Sequence, residues 1–158
     1  MESMQLNDQL VTEYKSESQR ARIMTEYWVG SHIACPRCQG TLTPLSNNAR
    51  GADFSCANCT QRFQLKSYRG KSKSKLIGAE YRTTLKTHLS EDAPDLLVLR
   101  FQRDLTVNEV IHYRKDDICE HHILPRKPLG PNARRAGWQG CMLDLSSIPG
   151  TMIFPLIH

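Results

Sequence analysis

Four of the six cysteines stand in two Cys-x-x-Cys pairs, Cys35/Cys38 and Cys56/Cys59, with residues 39 to 55, 17 in all, between them. Two thiolates separated by two residues in a tight turn both reach one tetrahedral ion at about 2.3 Å, and four thiolates close its coordination shell. Pairs separated by about 15–20 residues are the spacing of a zinc site, so the sequence predicts a structural Zn²⁺ on Cys35, Cys38, Cys56 and Cys59. Such a site clamps the Cys56–Cys59 turn and fixes the hairpin on either side, because the free energy of binding is also folding free energy. Cys119 and Cys141 have no partner pattern and are expected to be small buried apolar groups.

The 158 residues fit one domain. The net charge is +5 and the pI about 9.0, which favours a polyanionic partner such as nucleic acid. No apolar run approaches the roughly 18 residues of a membrane helix. Met1 to Leu10 is polar and mixed in charge, unlike a secretory signal. The expected location is the cytoplasm, where thiols stay reduced and paired cysteines point to metal rather than disulfides.

Asn7 to Trp28 has helical spacing, with Leu10, Val11 and Tyr14 on one face and Ala21, Met24 and Trp28 following. Ser16 and Gln19 fit a capping box, which divides this segment into two helices, and Gly30 suits the stop. Ala52–Ser55 and Arg62–Ser67 are predicted strands around the cysteine turn. Gly70 to Lys75 is basic and expected to be mobile. Leu76 to Leu89 is predicted to be a helix, Leu96 to Leu99 a buried strand and Val107 to Tyr113 another. Pro125 to Gly140 is predicted to be a loop, and Met142 to Leu145 and Met152 to Ile157 final strands. Helix, hairpin, helix and strands in that order imply a mixed α/β domain.

The stretch from Ala52 to Lys66 carries the chemistry. In a strand, Gln64 and Lys66 share one face while Phe63 and Leu65 share the other. A hairpin turning at Ala57-Asn58 sets Asp53 about opposite Gln64, so Asp53, Gln64 and Lys66 converge. A carboxylate that holds Mg²⁺ beside a phosphate, with a lysine to orient or deprotonate water, is what metal-assisted phosphodiester hydrolysis requires. The pattern D-x10-Q-x-K resembles the PD-(D/E)xK nuclease signature, with Gln64 where that signature usually has Glu. An amide oxygen still coordinates a hard cation but adds no charge, so metal affinity is expected to fall.

Longer stretches narrow the resemblance. They are Leu10-Val11 with Tyr14-Lys15-Ser16, Ser18 to Ile23, Thr25-Glu26, Trp28-Val29, the cysteine knuckle with Ala52-Asp53-Phe54 and Leu65-Lys66-Ser67, Arg126 to Leu129, Ala133 to Trp138, Gly140-Cys141 and Asp144 to Ser146. Together they resemble the catalytic domain of DpnI-type methyl-directed restriction endonucleases over nearly the whole chain. The resemblance implies a PD-(D/E)xK nuclease-like mixed sheet flanked by helices, with a four-cysteine zinc knuckle (35–59) on an inserted hairpin. It implies catalysis by Asp53, Gln64 and Lys66, with Mg²⁺ held by Asp53, Gln64 and Leu65. The implied substrate is duplex DNA carrying N6-methyladenine in GATC, cut by a monomer. Residues 1–158 are expected to form a single nuclease domain, without the C-terminal winged-helix domain of larger members. Arg126, Lys127, Arg134, Arg135 and Trp138 are expected to contact DNA, since cations neutralise phosphates and an indole stacks on or wedges between bases; Lys71, Lys73 and Lys75 add phosphate contacts.

Two other functions compete. Glu120-His121-His122-Ile123-Leu124-Pro125 resembles the H-H-I-x-P element of HNH nucleases, whose second histidine is a general base. The zinc pairs lie far upstream of it, however, and the later Asn and His of that pattern are not evident. A zinc-containing DNA-binding protein that has lost catalysis through Gln64 is the second.

Overall fold

The computed structural model describes residues 4–46 and 51–156. Asn7 caps a single 3-10 turn, Asp8–Val11, through its side-chain oxygen, which accepts the Gln9 N–H. Helix α1 is Glu17–His32; its cap is Ser16, whose hydroxyl accepts the Gln19 N–H at 3.4 Å. The division near Ser16 is thus present, but the first piece is one turn, in which Val11 is buried and Leu10 exposed. Gly30 does not end α1. The Ile33 N–H still bonds to the Val29 carbonyl at 2.9 Å, and Val29 and Ile33 are both in the core, so packing carries the helix past the glycine.

Nine strands follow among the described residues: β1 Leu42–Pro44, β2 Phe54–Cys56, β3 Arg62–Arg69, β4 Lys75–Glu80, β5 Asp95–Phe101, β6 Val107–Tyr113, β7 Ile123–Pro125, β8 Gly140–Asp144 and β9 Gly150–Phe154. The last strand thus begins and ends earlier than expected, and Ile157 lies outside the described residues. Six strands make one sheet in the order β1-β2-β3-β5-β6-β9, in which only β3 and β5 run parallel. The other three form an antiparallel sheet, β4-β8-β7. The apolar run of β5 is buried on both faces, as a central strand must be. Its Leu97 and Leu99 pack with Met24, Trp28 and Val29 of α1, while Leu96 and Val98 pack with Leu76, Ile123 and Leu143 of the small sheet. The result is a mixed α/β fold with α1 on one side of a mostly antiparallel sheet and the small sheet on the other.

Leu76–Leu89 is not one helix. Its first part is β4, and only Tyr81–Leu89 is helical (α2). Gly78 explains the change. A Cβ there would lie 2.6 Å from the Cys141 sulfur on β8, so only glycine lets the two strands approach. The strand then ends at Glu80, whose carboxylate accepts the Arg82 and Thr83 N–H groups and starts α2.

Asp95, fully buried at the start of β5, ties three regions together. Arg37, between Cys35 and Cys38, donates to it at 2.6 and 2.9 Å. His112 of β6 lies at 2.7 Å and the Lys115 N–H at 2.9 Å. Burial alone would raise the Asp95 pKa, but the hydrogen bonds from His112, Arg37 and the Lys115 amide outweigh it and hold the carboxyl well below its usual range. Its contribution to stability is therefore complete above the unfolded-state value, about 3.9, and is lost as pH falls toward the lower folded value. Asp95→Asn should cost about 3 kcal/mol at neutral pH, since it leaves Arg37 without its buried partner. It should also flatten the acid limb of the stability curve. Urea unfolding from pH 7 downward measures both effects.

Candidate active site and metal centre

The two cysteine turns are built alike. The Gln39 N–H bonds back to the Cys35 carbonyl (2.8 Å), and the Cys35 N–H to the Gly40 carbonyl (2.8 Å). The Thr60 N–H bonds to the Cys56 carbonyl (3.0 Å), and the Cys56 N–H to the Gln61 carbonyl (2.9 Å). Gln39 and Thr60, each just after the second cysteine of its pair, have positive φ values of 68° and 65°. The turns face one another, so that all four sulfurs lie within 4.8 Å of each other, with Cys35–Cys59 at 3.7 Å and Cys38–Cys56 at 3.4 Å. A tetrahedron with 2.3 Å metal–sulfur bonds has edges of about 3.8 Å. The Gly40 amide and the Asn58 side chain donate to Cys38, and the Asn58 and Cys59 amides to Cys56. Hydrogen bonds led by the Asn58 side chain and the Gly40 amide bring the Cys38 thiol down to about 6, while burial pushes Cys35 up to about 12. Four sulfurs crowded together with N–H groups aimed at them form a site that fits Zn²⁺.

The same hairpin sets Asp53. Phe54 pairs with Phe63, which leaves Asp53 opposite Gln64. The Asp53 amide donates to the Phe63 carbonyl (2.8 Å), and its carboxylate accepts the Leu65 N–H (2.7 Å). β2 stops pairing at this point, so Asp53 sits against the open edge of β3. Gln64 and Lys66 share a face, as the strand period requires, and line a common cavity of about 190 Å³ under α2. Gly51 closes that cavity with φ +65°; a Cβ there would meet the Thr87 side chain at 2.4 Å. Burial lowers the Lys66 pKa, and the neighbouring Cys141 and Asp53 side chains counter part of the fall. The Gln64 Oε1 atom is buried and has no hydrogen-bond partner.

Glu26 of α1 belongs to the same neighbourhood, though its sequence pattern singles it out only as one of the matching stretches. Burial raises its pKa first, and the charge of Asp53 and a hydrogen bond to it raise it further, against the lowering by Arg22 at 3.1 Å. The clue in the sequence was helical phase: Glu26 follows buried Met24 and Thr25 and lies one turn after Arg22. Arg22, Glu26, Leu65, Lys66, Lys73, Lys75, Ile77 and Met142 are among the residues around a cleft of about 590 Å³ at this edge.

The expected DNA contacts divide into two groups. Lys73 and Lys75 line the cleft; Lys71 is exposed beside them. The segment is tethered rather than free, because the Lys73 N–H donates to the Tyr68 hydroxyl (2.9 Å) and Lys75 is already in β4. Arg126, Lys127, Arg134 and Arg135 are exposed on the 126–139 loop, outside the cleft lining. Trp138 is half-buried. A Cβ on Gly140 would lie 2.9 Å from its ring, and the Arg135 guanidinium lies 4.5 Å above that ring.

The histidine pair lies on the small sheet. His122 is buried, burial lowers its pKa, and its Nδ1 accepts the Cys119 N–H at 2.9 Å. Cys119, His121 and His122 gather their ligand atoms within 4.8 Å, but the neutral His122 ring then carries its proton on Nε2 and has no lone pair left to give. Cys119 is exposed, contrary to expectation, because it caps a 3-10 turn at the surface; Cys141 is buried as expected.

The molecule thus has a mixed α/β fold in which a hairpin with a four-cysteine cluster that fits a metal ion carries a carboxylate to the open edge of a Gln-x-Lys strand. The chain belongs to the DpnI family, described as the Dam-replacing family, whose model matches residues 2–158. That family is one of DNA endonucleases that act as restriction enzymes. Among the described residues no helix is long and apolar enough to cross a membrane.

If a metal closes the sulfur cluster, Cys119 alone should react with iodoacetamide in the native chain, and Cys141 only after unfolding. Mass spectrometry of the labelled protein reports this directly. Labelling of Cys38 or Cys59 at the rate of Cys119 would show an open cluster.

Proposed function

We propose that the chain is a Mg²⁺-dependent endonuclease of the PD-(D/E)xK type that cuts duplex DNA at adenine-methylated GATC, working as a cytoplasmic monomer. The observation that carries the reading is Asp53, held against the β3 edge by the Leu65 amide, directly opposite Gln64 and near half-buried Lys66. Zn²⁺ on Cys35, Cys38, Cys56 and Cys59 is structural, because four thiolates leave no open position for water.

The residues fit a hard divalent cation. The Asp53 carboxylate, the Gln64 amide oxygen and the Leu65 backbone carbonyl offer oxygen donors only. The Gln64 oxygen is buried without a partner, and the Glu26 and Asp53 carboxylates repel each other, which a cation relieves. Glu26 also returns the negative charge that Gln64 does not supply. When bound, the ion supplies Lewis-acid stabilisation of the phosphate and acidifies water. Lys66, its pKa lowered by burial, lies closer than an exposed lysine to the neutral form that accepts a proton from the attacking water. Lys73 and Lys75 in the cleft hold phosphates next to the scissile one, and Lys71, Arg126, Lys127, Arg134 and Arg135 extend that track. Trp138, packed by Gly140 and Arg135, supplies a ring to stack against a base.

The test uses one plasmid grown with and without adenine methylation. The wild-type chain should cut the methylated form in Mg²⁺ and spare the other. Asp53→Asn and Lys66→Met should each lower the rate about a thousandfold while DNA binding survives. Loss of activity in His122→Ala with Lys66→Met fully active would establish the HNH reading instead. Binding without any cutting would leave a DNA-binding protein, and equal cutting of both plasmids would remove the methyl-reading part.

A further inference from the structure

Among the described residues three buried side-chain atoms lack a partner, and two of them belong to side chains that line one cavity. One is Gln64 Oε1; the other is Nδ1 of His88, a residue 4% exposed on the inner face of α2. Both side chains line the 190 Å³ cavity behind Lys66. Buried polar atoms are nearly always satisfied, so a pair of orphans on one wall calls for an explanation.

The chemistry of an amide supplies one. A carboxylate at position 64 would present oxygen in either orientation about its last bond. Glutamine has one oxygen and one NH₂, and only the oxygen is a cation ligand. Which end faces the metal-binding edge is decided by what the other end meets. With the oxygen turned toward Asp53, the NH₂ enters the cavity and needs an acceptor. The Lys66 ammonium only donates; the Thr83 and Thr84 hydroxyls on that wall donate to Glu80 and keep lone pairs of their own, but the His88 Nδ1 atom is the lining acceptor that has no partner at all. A neutral imidazole protonated on Nε2 presents Nδ1 as a free acceptor, and Nδ1 is the ring atom of His88 that is buried without a partner. A cavity of this size also admits a water, at about 30 Å³ each, so the contact is direct or through one molecule.

We propose that His88 is a positioning residue: its Nδ1 takes the Gln64 NH₂ and thereby turns the Gln64 oxygen toward the cation site at Asp53. The proposal rests on the reading of that edge as a metal-dependent nuclease site. It explains how a site with glutamine in place of glutamate keeps a defined ligand.

The experiment is calorimetric titration of the zinc-loaded chain with Mn²⁺, without DNA. His88→Val should weaken Mn²⁺ binding about tenfold, because the NH₂ loses its buried acceptor and the amide no longer favours one orientation. His88→Asn, which puts a carbonyl oxygen near the place of Nδ1, should stay within about twofold of wild type. In a Gln64→Glu background, adding His88→Val should change affinity by less than about twofold, since the coupling is to the amide. Thermal unfolding and zinc content of each variant check that the fold is kept. Equal weakening by His88→Val in both backgrounds, or none in the Gln64 chain, overturns the proposal. Asp53→Asn separates the two levels. If it abolishes Mn²⁺ binding while His88→Val acts alike in both backgrounds, only the role of His88 fails. If it leaves Mn²⁺ binding intact, the metal site at Asp53 fails and the role of His88 falls with it.

Discussion

The gathering of four cysteine sulfurs holds together what the strands around them cannot. β1 and β2 are three residues each and pair only with one another and with the start of β3. So short a ribbon is marginal by itself. Joining Cys35 and Cys38 to Cys56 and Cys59 closes it, and Asp53 stands three residues before Cys56. The position of the carboxylate is therefore inherited from the sulfur cluster. Arg37, inside the first pair, carries the constraint onward to Asp95 and from there to β5 and β6. One cluster thus fixes the hairpin, its docking on the sheet and the geometry of the β3 edge.

The electrostatics of that edge follow from burial. Burial and the charge of Asp53 raise the cost of ionising Glu26, Lys66 is driven toward neutrality, and His88 is held neutral. Each shift is unfavourable to an isolated protein and useful to one that takes up a cation and polarises water. The two orphaned atoms, on Gln64 and His88, belong to the same pattern of groups that lack partners within the chain.

Much of this was legible in the sequence, and the reasons are local. Cysteine spacing, the Ser16 cap, the apolar run of β5 and the pairing of Asp53 with Gln64 each depend on neighbours a few residues away or on a strict period. What escaped depends on distant contacts. Leu76–Glu80 carries no strong strand signal and becomes β4 because β8 is there to pair with it and Gly78 lets Cys141 in. Gly30 reads as a helix stop until Val29 and Ile33 are seen in the core. Leu10 and Cys119 carry apolar side chains whose exposure no pattern announces. Glu26 and His88 come to the site from helices on opposite sides of the sheet; helical phase alone marks Glu26, and nothing in its own segment marks His88.

The central claim is that this hairpin presents two metal sites of different chemistry, a closed sulfur cluster and an oxygen site at the β3 edge. Anomalous X-ray scattering from crystals grown with Mn²⁺ locates each metal by element. The account predicts a zinc signal enclosed by Cys35, Cys38, Cys56 and Cys59 and a manganese signal between the Asp53 carboxylate and the Gln64 side-chain oxygen. Manganese bound elsewhere with none at Asp53, or a sulfur cluster empty of metal in a folded chain, would contradict it.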